Sequence, residues 1–202
     1  MSEATLLPAA ERVQVPWKNG GGVTQTVAAF PNDAGPDDFM WRVSVAQVRT
    51  AGPFSAFPET DRHLSVLEGT LLLEVANQPS MLSPASAGLA FPGDVAASGT
   101  PIDGPVLDLN VMTRRGQFRA EVERLSSNTP VPIDAEVAIL VATAPAHVAC
   151  GRTSVALDRL DALIMTNHAG QLLSVTAGGP AHLIQIFAQS RSSGLGEANA
   201  RP

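Results

Sequence analysis

Short stretches of alternating apolar residues, each closed by glycine, proline or asparagine, recur along this chain and leave little room for anything but β-strands. In the first half the alternation covers Val23 to Ala28, Trp41 to Val48, His63 to Leu67, Leu71 to Val75 and Val106 to Met112. Turn-forming groups separate these stretches: Asn19-Gly20-Gly21-Gly22, Asn32-Asp33-Ala34-Gly35-Pro36, Glu68-Gly69 and Phe91-Pro92-Gly93-Asp94. After Arg114-Arg115-Gly116 the pattern resumes over Ala138 to Ala142, His147 to Cys150, Ser154 to Leu157, Ala162 to Met165, Leu172 to Val175 and Ala181 to Phe187. The expectation is an all-β protein made of two β-sandwiches or barrels packed together. The halves are placed at 1–115 and 116–190, followed by a polar, glycine-rich and flexible tail over 191–202.

At 202 residues the chain can bury one core, or two small fused ones, without disulfide or metal staples. Hydrophobic residues make up 45% and charged residues 16%, too apolar for disorder and too interrupted for a membrane span. The net charge of −6 is scattered rather than blocked, so no face suits a phosphate backbone. Neither direct nucleic-acid binding nor a membrane partner is expected. The single cysteine, Cys150, has no partner for an intrachain disulfide and reads as a small buried hydrophobe. The N-terminal residues lack a basic segment followed by a long apolar run, which points away from a signal peptide and towards the cytoplasm.

Three groups of residues carry a family likeness. They are Val15-Pro16-Trp17-Lys18-Asn19-Gly20-Gly21-Gly22-Val23-Thr24; then Trp41-Arg42-Val43-Ser44-Val45-Ala46 with Gly52-Pro53-Phe54-Ser55-Ala56-Phe57 and Asp61-Arg62; and finally Asp108-Leu109-Asn110-Val111-Met112. In order and spacing the set resembles the HutD/Ves family over most of the first 115 residues. The resemblance implies a double-cupin (bicupin) fold of two jelly-roll-like barrels. It also implies an association with bacterial histidine utilisation, as a modulator that binds a small pathway intermediate such as urocanate or formylglutamate.

Within that likeness, Val66-Leu67-Glu68-Gly69 resembles the end of the first cupin motif. Metal-binding cupins place a His-x-His pair and a Glu before it; here those positions fall on Ser55, Phe57 and Arg62. The second motif corresponds to Phe91-Pro92-Gly93-Asp94-Val95 and runs into Ala96-Ala97, where no histidine stands. A phenyl ring offers no lone pair and a guanidinium repels a cation, so neither a metal nor another cofactor is expected. An arginine in place of a glutamate instead favours an anion.

Alternation sharpens the site. Arg62 shares a strand face with Leu64 and Val66, opposite Asp61, His63 and Ser65. An inward arginine needs a partner, either a ligand anion or a buried carboxylate such as Asp108. Asp108, Asn110 and Met112 line one face of their strand, which looks into a cavity or into solvent. Arg42 and Ser44 share a face with the same two alternatives. Phe57 is an apolar wall, while Lys18, Asn19 and Thr24 are candidates to reach a ligand from the rim. The glycine run is either a backbone nest for an anion or a turn where the chain crosses tightly. Trp17 either caps the cavity or belongs to the core.

His63, His147, His168 and His182 form no close pair in sequence, and no G-x-S-x-G elbow occurs, so catalysis draws little support. The leading expectation is a metal-free protein that binds a small anionic metabolite. One alternative is a metal-independent isomerase or epimerase with Asp108 as base. Another is an interaction module whose polar faces serve a homodimer.

Overall fold

The computed structural model describes residues 2–32, 34–35, 38–125 and 130–189. Strand β1 is Glu3–Leu7, and a 3₁₀ turn at Ala9–Glu11 follows it. The first half then contributes β2 (Gln14–Pro16), β3 (Gly22–Phe30), β4 (Trp41–Val48), β5 (Gly52–Pro53), β6 (Thr60–Val75), β7 (Gln78–Leu82), β8 (Leu89–Pro92) and β9 (Ala97–Arg114). The second contributes β10 (Phe118–Leu125), β11 (Val131–Pro132), β12 (Val137–Ala142), β13 (Ala146–Cys150), β14 (Thr153–Leu157), β15 (Ala162–Thr166), β16 (Leu172–Ala177) and β17 (Ala181–Ala188). No helix among the described residues is long and apolar enough to cross a membrane. The expected tail at 191–202 lies outside the described residues, as does part of the turn at 32–36.

One sheet runs β2-β3-β4-β9-β6-β7, with β5 on β9 and β8 on β6; the long antiparallel pair β6–β9 is its spine. The second half holds two sheets, β1-β15-β12-β17-β10 and β11-β16-β13-β14. This is the all-β double cupin that the alternation and the family likeness lead one to expect. The first strand crosses over: β1 pairs with β15, so residues 3–7 complete a sheet of the second half. Nothing in the exposed, mixed pattern of β1 betrays this. By contrast β10, Phe-Arg-Ala-Glu-Val-Glu-Arg-Leu, alternates plainly, yet it lies outside the stretches expected to be strands.

Three cores result from the period-two pattern. Leu64, Leu71, Leu73 and Val106 fill the first barrel, and Leu140, Val148, Leu163 and Leu173 fill the second. Between them Val43, Val45, Leu109 and Val111 from the first sheet meet Ile139, Val141, Ile184 and Ile186 from the five-stranded one. Strands β4, β9, β12 and β17 are therefore buried on both faces, which is why β12 reads as an unbroken apolar run.

Glu68-Gly69 is a correction. It does not turn the chain; β6 continues through it, with register shifts between Val66, Glu68 and Thr70. Gly69 adopts φ +81°, and a Cβ there would approach Pro105 O at 3.0 Å. The glycine permits a bulge, which bends a long strand around the barrel.

Candidate functional site

Register rather than loop geometry builds the polar end of the first barrel. On β9, Leu109 and Val111 face the second half, so Asp108, Asn110 and Met112 must face the barrel interior. Directly paired residues share a face, and the pairings set out three rows: Arg42, Met112, Arg62 and Phe91; Ser44, Asn110 and Leu64; Ala46, Asp108 and Val66. Six of the residues anticipated as site residues thus converge: Arg42, Ser44, Arg62, Asp108, Asn110 and Met112. Phe57, anticipated as a wall, joins them through its ring.

Arg62 Nη2 donates to Asn110 Oδ1 at 2.9 Å, and Asn110 Nδ2 donates to Asp108 Oδ1 at 2.6 Å. Arg62 Nη1 also donates to Ser55 O at 3.4 Å. Asn110 therefore stands between the guanidinium and the carboxylate. Arg62 is 6% exposed and Asp108 1%. The Arg62 guanidinium lies 5.0 Å from the ring centre of Phe91 and 5.6 Å from those of Phe54 and Phe57. The Arg42 guanidinium lies 5.4 Å from the centre of Phe39 and 5.8 Å from that of Phe57. Such cation–π contacts contribute about 1 to 2 kcal/mol when desolvated, enough to hold a guanidinium but not to replace its lost hydration.

Burial governs the protonation states. It pushes Asp108 up to about 7, against the opposing influence of Arg62 and Asn110. It pulls Arg62 down to about 10, an effect Asp108 opposes and Arg42 reinforces, so Arg62 stays charged at neutral pH. Arg42 is lowered by burial as well. Arg62 Nε, Arg42 Nε and Asp108 Oδ2 are buried without a hydrogen-bond partner among the described residues. Asp61 at the start of β6 and Asp94 just after β8 are bound outside by Arg115 at 2.8 and 2.9 Å. Among the described residues the interior thus sets two guanidiniums against one carboxylate that is itself half neutralised near pH 7.

The rim candidates are placed differently. Lys18 and Asn19 are exposed in the β2–β3 turn. Asn19 Oδ1 accepts the Gly21 N–H, and Gly20 N–H goes to Trp17 O. Those amides are spent inside the turn, so it is not an anion nest. Thr24 pairs with Ala46 and thus faces the row of Asp108, but its Oγ1 accepts Trp17 Nε1–H at 2.7 Å. Trp17 in turn meets Phe54 edge-on, at 5.9 Å. These residues brace the ring over Arg62 rather than reach into the site.

Phe39, Phe54 and Phe91 went unrecognised as guanidinium partners, because which ring covers which cation depends on long-range packing. A weak signal lay in the neighbouring glycines. A Cβ on Gly99 would sit 2.6 Å from Phe54 Cζ, and one on Gly93 would sit 2.9 Å from Phe57 O.

The positions that hold a metal in other cupins do not fit one here. Ser55 is exposed, Phe57 and Arg62 are stacked, and Ala97 uses its carbonyl to accept Phe54 N–H. Among the described residues no three His, Cys, Asp or Glu side chains gather to bind a metal. His63 and His182 face the seam between the halves, and His147 is exposed beside Ser154.

Known proteins agree with this architecture. A Pseudomonas putida protein described as lying in the hutC 3′ region is 31% identical over 194 residues, covering 94% of this chain and all of that protein. Protein Ves of Citrobacter koseri is 36% identical over 108 residues, 52% of this chain and 56% of its own. The solved structure of HutD from Pseudomonas fluorescens SBW25 superposes with a TM-score of 0.80 at 27% identity, over 93% of this chain and 100% of that one. A bacterial pirin from Escherichia coli, 13% identical over 93% of this chain and 100% of its own, shares the fold alone at a TM-score of 0.60. The HutD family model matches residues 9–183, a span that takes in the Arg62 row and nearly all of both barrels, and the chain belongs to the HutD family.

Proposed function

We propose that the first barrel binds a small carboxylated metabolite and that the chain acts as a binding modulator in histidine utilisation. One observation carries the reading: among the described residues the buried Arg62 and half-buried Arg42 guanidiniums face a single carboxylate, Asp108, and each keeps a buried Nε without a partner. An incoming carboxylate supplies both the missing charge and the missing acceptors. The pathway rests on the relatives' names, HutD and a protein of the hutC 3′ region. Urocanate, histidine, formylglutamate and formate are the ligands to titrate; the similar HutD structure is described as a formate condition.

Arg62→Met keeps the side-chain length and removes the charge. It is expected to weaken a carboxylate ligand ten- to hundredfold in calorimetry, because a charge-assisted hydrogen bond contributes about 1.5 to 3 kcal/mol. Stability should fall by only about 1 to 3 kcal/mol, since Asn110 still satisfies Asp108 Oδ1. Absence of saturable binding to all four compounds would remove the pathway reading. A mutant that binds as the parent does would remove the site.

A second reading draws on Asp108, a buried carboxyl held near 7 with one free oxygen, which is the profile of a general base. On that reading a bound acid exchanges a C–H proton with solvent. Failure of solvent deuterium to enter any of the four compounds excludes it.

A further inference from the structure

An open cavity of about 690 Å³ lies in the second half, away from Arg62, and is lined by Ser2, Arg152, Thr153, His168, Gln171 and Leu172, with Gly151 beside them. Three pieces of chain build it. The β13–β14 hairpin contributes Gly151 and Arg152, the β15–β16 loop contributes His168 to Gln171, and the exchanged strand β1 brings Ser2. The loop is a fixed structure. Gln171 N–H donates to His168 O at 3.0 Å, Gly170 N–H donates to Ile133 O at 2.8 Å, and Gly170 takes φ +82°.

Two of its polar groups have fixed partners. His168 is 3% exposed, and its Nδ1 lies 2.9 Å from Thr166 O. A carbonyl only accepts, so Nδ1 carries the proton and Nε2 is left as the ring's acceptor. Cys150 Sγ donates to Gln171 Oε1 at 3.7 Å, which leaves the Gln171 amide nitrogen as a donor. Arg152 makes no ion pair or hydrogen bond among the described residues. No carboxylate of the described residues lines the cavity. An ammonium group would therefore meet Arg152 with no counter-charge, whereas a carboxylate with a neighbouring hydroxyl finds a cation and a fixed acceptor.

We propose that this cleft is a second ligand site, for a small hydroxy acid whose carboxylate meets Arg152 and whose hydroxyl donates to His168 Nε2. It stands apart from the first-barrel site, and its test is built to fail independently. The His ring signals of the full chain are followed by NMR during titration with malate, succinate and inorganic phosphate, and affinities are measured by calorimetry in the Arg62→Met background, where the first-barrel site is disabled. Malate is expected to shift the His168 signals saturably. Succinate, lacking the hydroxyl, should bind roughly three- to tenfold more weakly. Arg152→Gln should weaken malate at least about tenfold. Arg62→Met, which disables the first-barrel site, should leave the malate shift of the His168 signals unchanged.

His168→Asn separates binding from folding, because the Asn amide can still donate to Thr166 O but offers no acceptor where Nε2 stood. It should melt as the parent does and reduce malate affinity to that of succinate. No saturable shift at His168, equal binding of succinate and malate, or preference for phosphate overturns the proposal. So does a malate affinity undiminished by Arg152→Gln or by His168→Asn, or a His168 shift that vanishes in Arg62→Met.

Discussion

Asp108 and His182 titrate in overlapping ranges with opposite consequences for stability. Burial raises Asp108 from 3.8 to about 7, so between those values the folded chain holds a proton that the unfolded chain has lost. Its contribution is fully present at low pH and is lost as pH rises through 7. His182 sits 3% exposed on the seam, where burial first, then Arg124 and His63, depress it from 6.5 to about 4. Its contribution is present above 6.5 and lost as pH falls through 4. Each amounts to roughly 1.4 kcal/mol per pH unit crossed, so from about 4 to 6.5 they offset one another. Denaturant midpoints taken from pH 7.5 to 4 should show it as differences from the parent chain. Asp108→Asn should lose relative stability on acidification, and His182→Gln should gain it. Parallel curves for parent and variants would mean that neither group is buried as described. Asp108 was partly legible in the sequence: alternation put it on one face with Asn110 and Met112 but left that face open between cavity and solvent, and its burial decides for the interior. The environment of His182 was not, since it depends on pairing with Arg124 across β10 and β17.

Among elements, the β2–β3 hairpin shows how a family motif divides its labour. Gly20 takes φ +71° in open space, so it is there for conformation. Gly22 is there for room: a Cβ would stand 2.5 Å from Gln47 O and 3.0 Å from two Trp17 ring atoms. Neither obstacle is a flexible side-chain end. Gly22→Ala should therefore cost on the order of 2 to 3 kcal/mol, while Gly20→Ala costs about 1. Urea unfolding of the pair checks the order, and equal losses would discard the steric account. The same turn chemistry explains one misread element. A Glu-Gly dipeptide suits a hairpin and a bulge alike, and only the pairing of β6 with β9 on both sides of Gly69 decides between them. The period-two faces of β4, β6 and β9 were readable because each strand carries one polar and one apolar row. The aromatic covers over Arg42 and Arg62 were not, because Phe39, Phe54 and Phe91 come from outside those strands or from β8, and their sequence positions do not point at a cation.

For the molecule as a whole, the question is whether residues 1–115 and 116–190 are units or only halves. The seam joins them through residues that would otherwise face water: Trp41, Val43, Val45, Leu109 and Val111 are each 5% exposed or less. Burying a side chain of this kind contributes roughly 1.5 to 3 kcal/mol, so five of them amount to about 10 kcal/mol. That is as large as the net stability of an ordinary domain, about 5 to 15 kcal/mol. The crossover adds to the dependence, because β1 lies in the first half of the chain yet hydrogen-bonds along β15 from Glu3 with Thr166 to Leu7 with Ala162. Cutting at 115 therefore exposes the seam on both fragments and leaves β15 with an open edge. The full chain should unfold in one calorimetric transition, and neither fragment alone should melt cooperatively. Mixed together, 1–115 and 116–190 should regain a single transition, since the first fragment supplies both β1 and the missing face of the seam. Two separate transitions in the intact chain, or an isolated 1–115 that melts like the parent, would show that each barrel is self-sufficient and that the seam is an accessory contact.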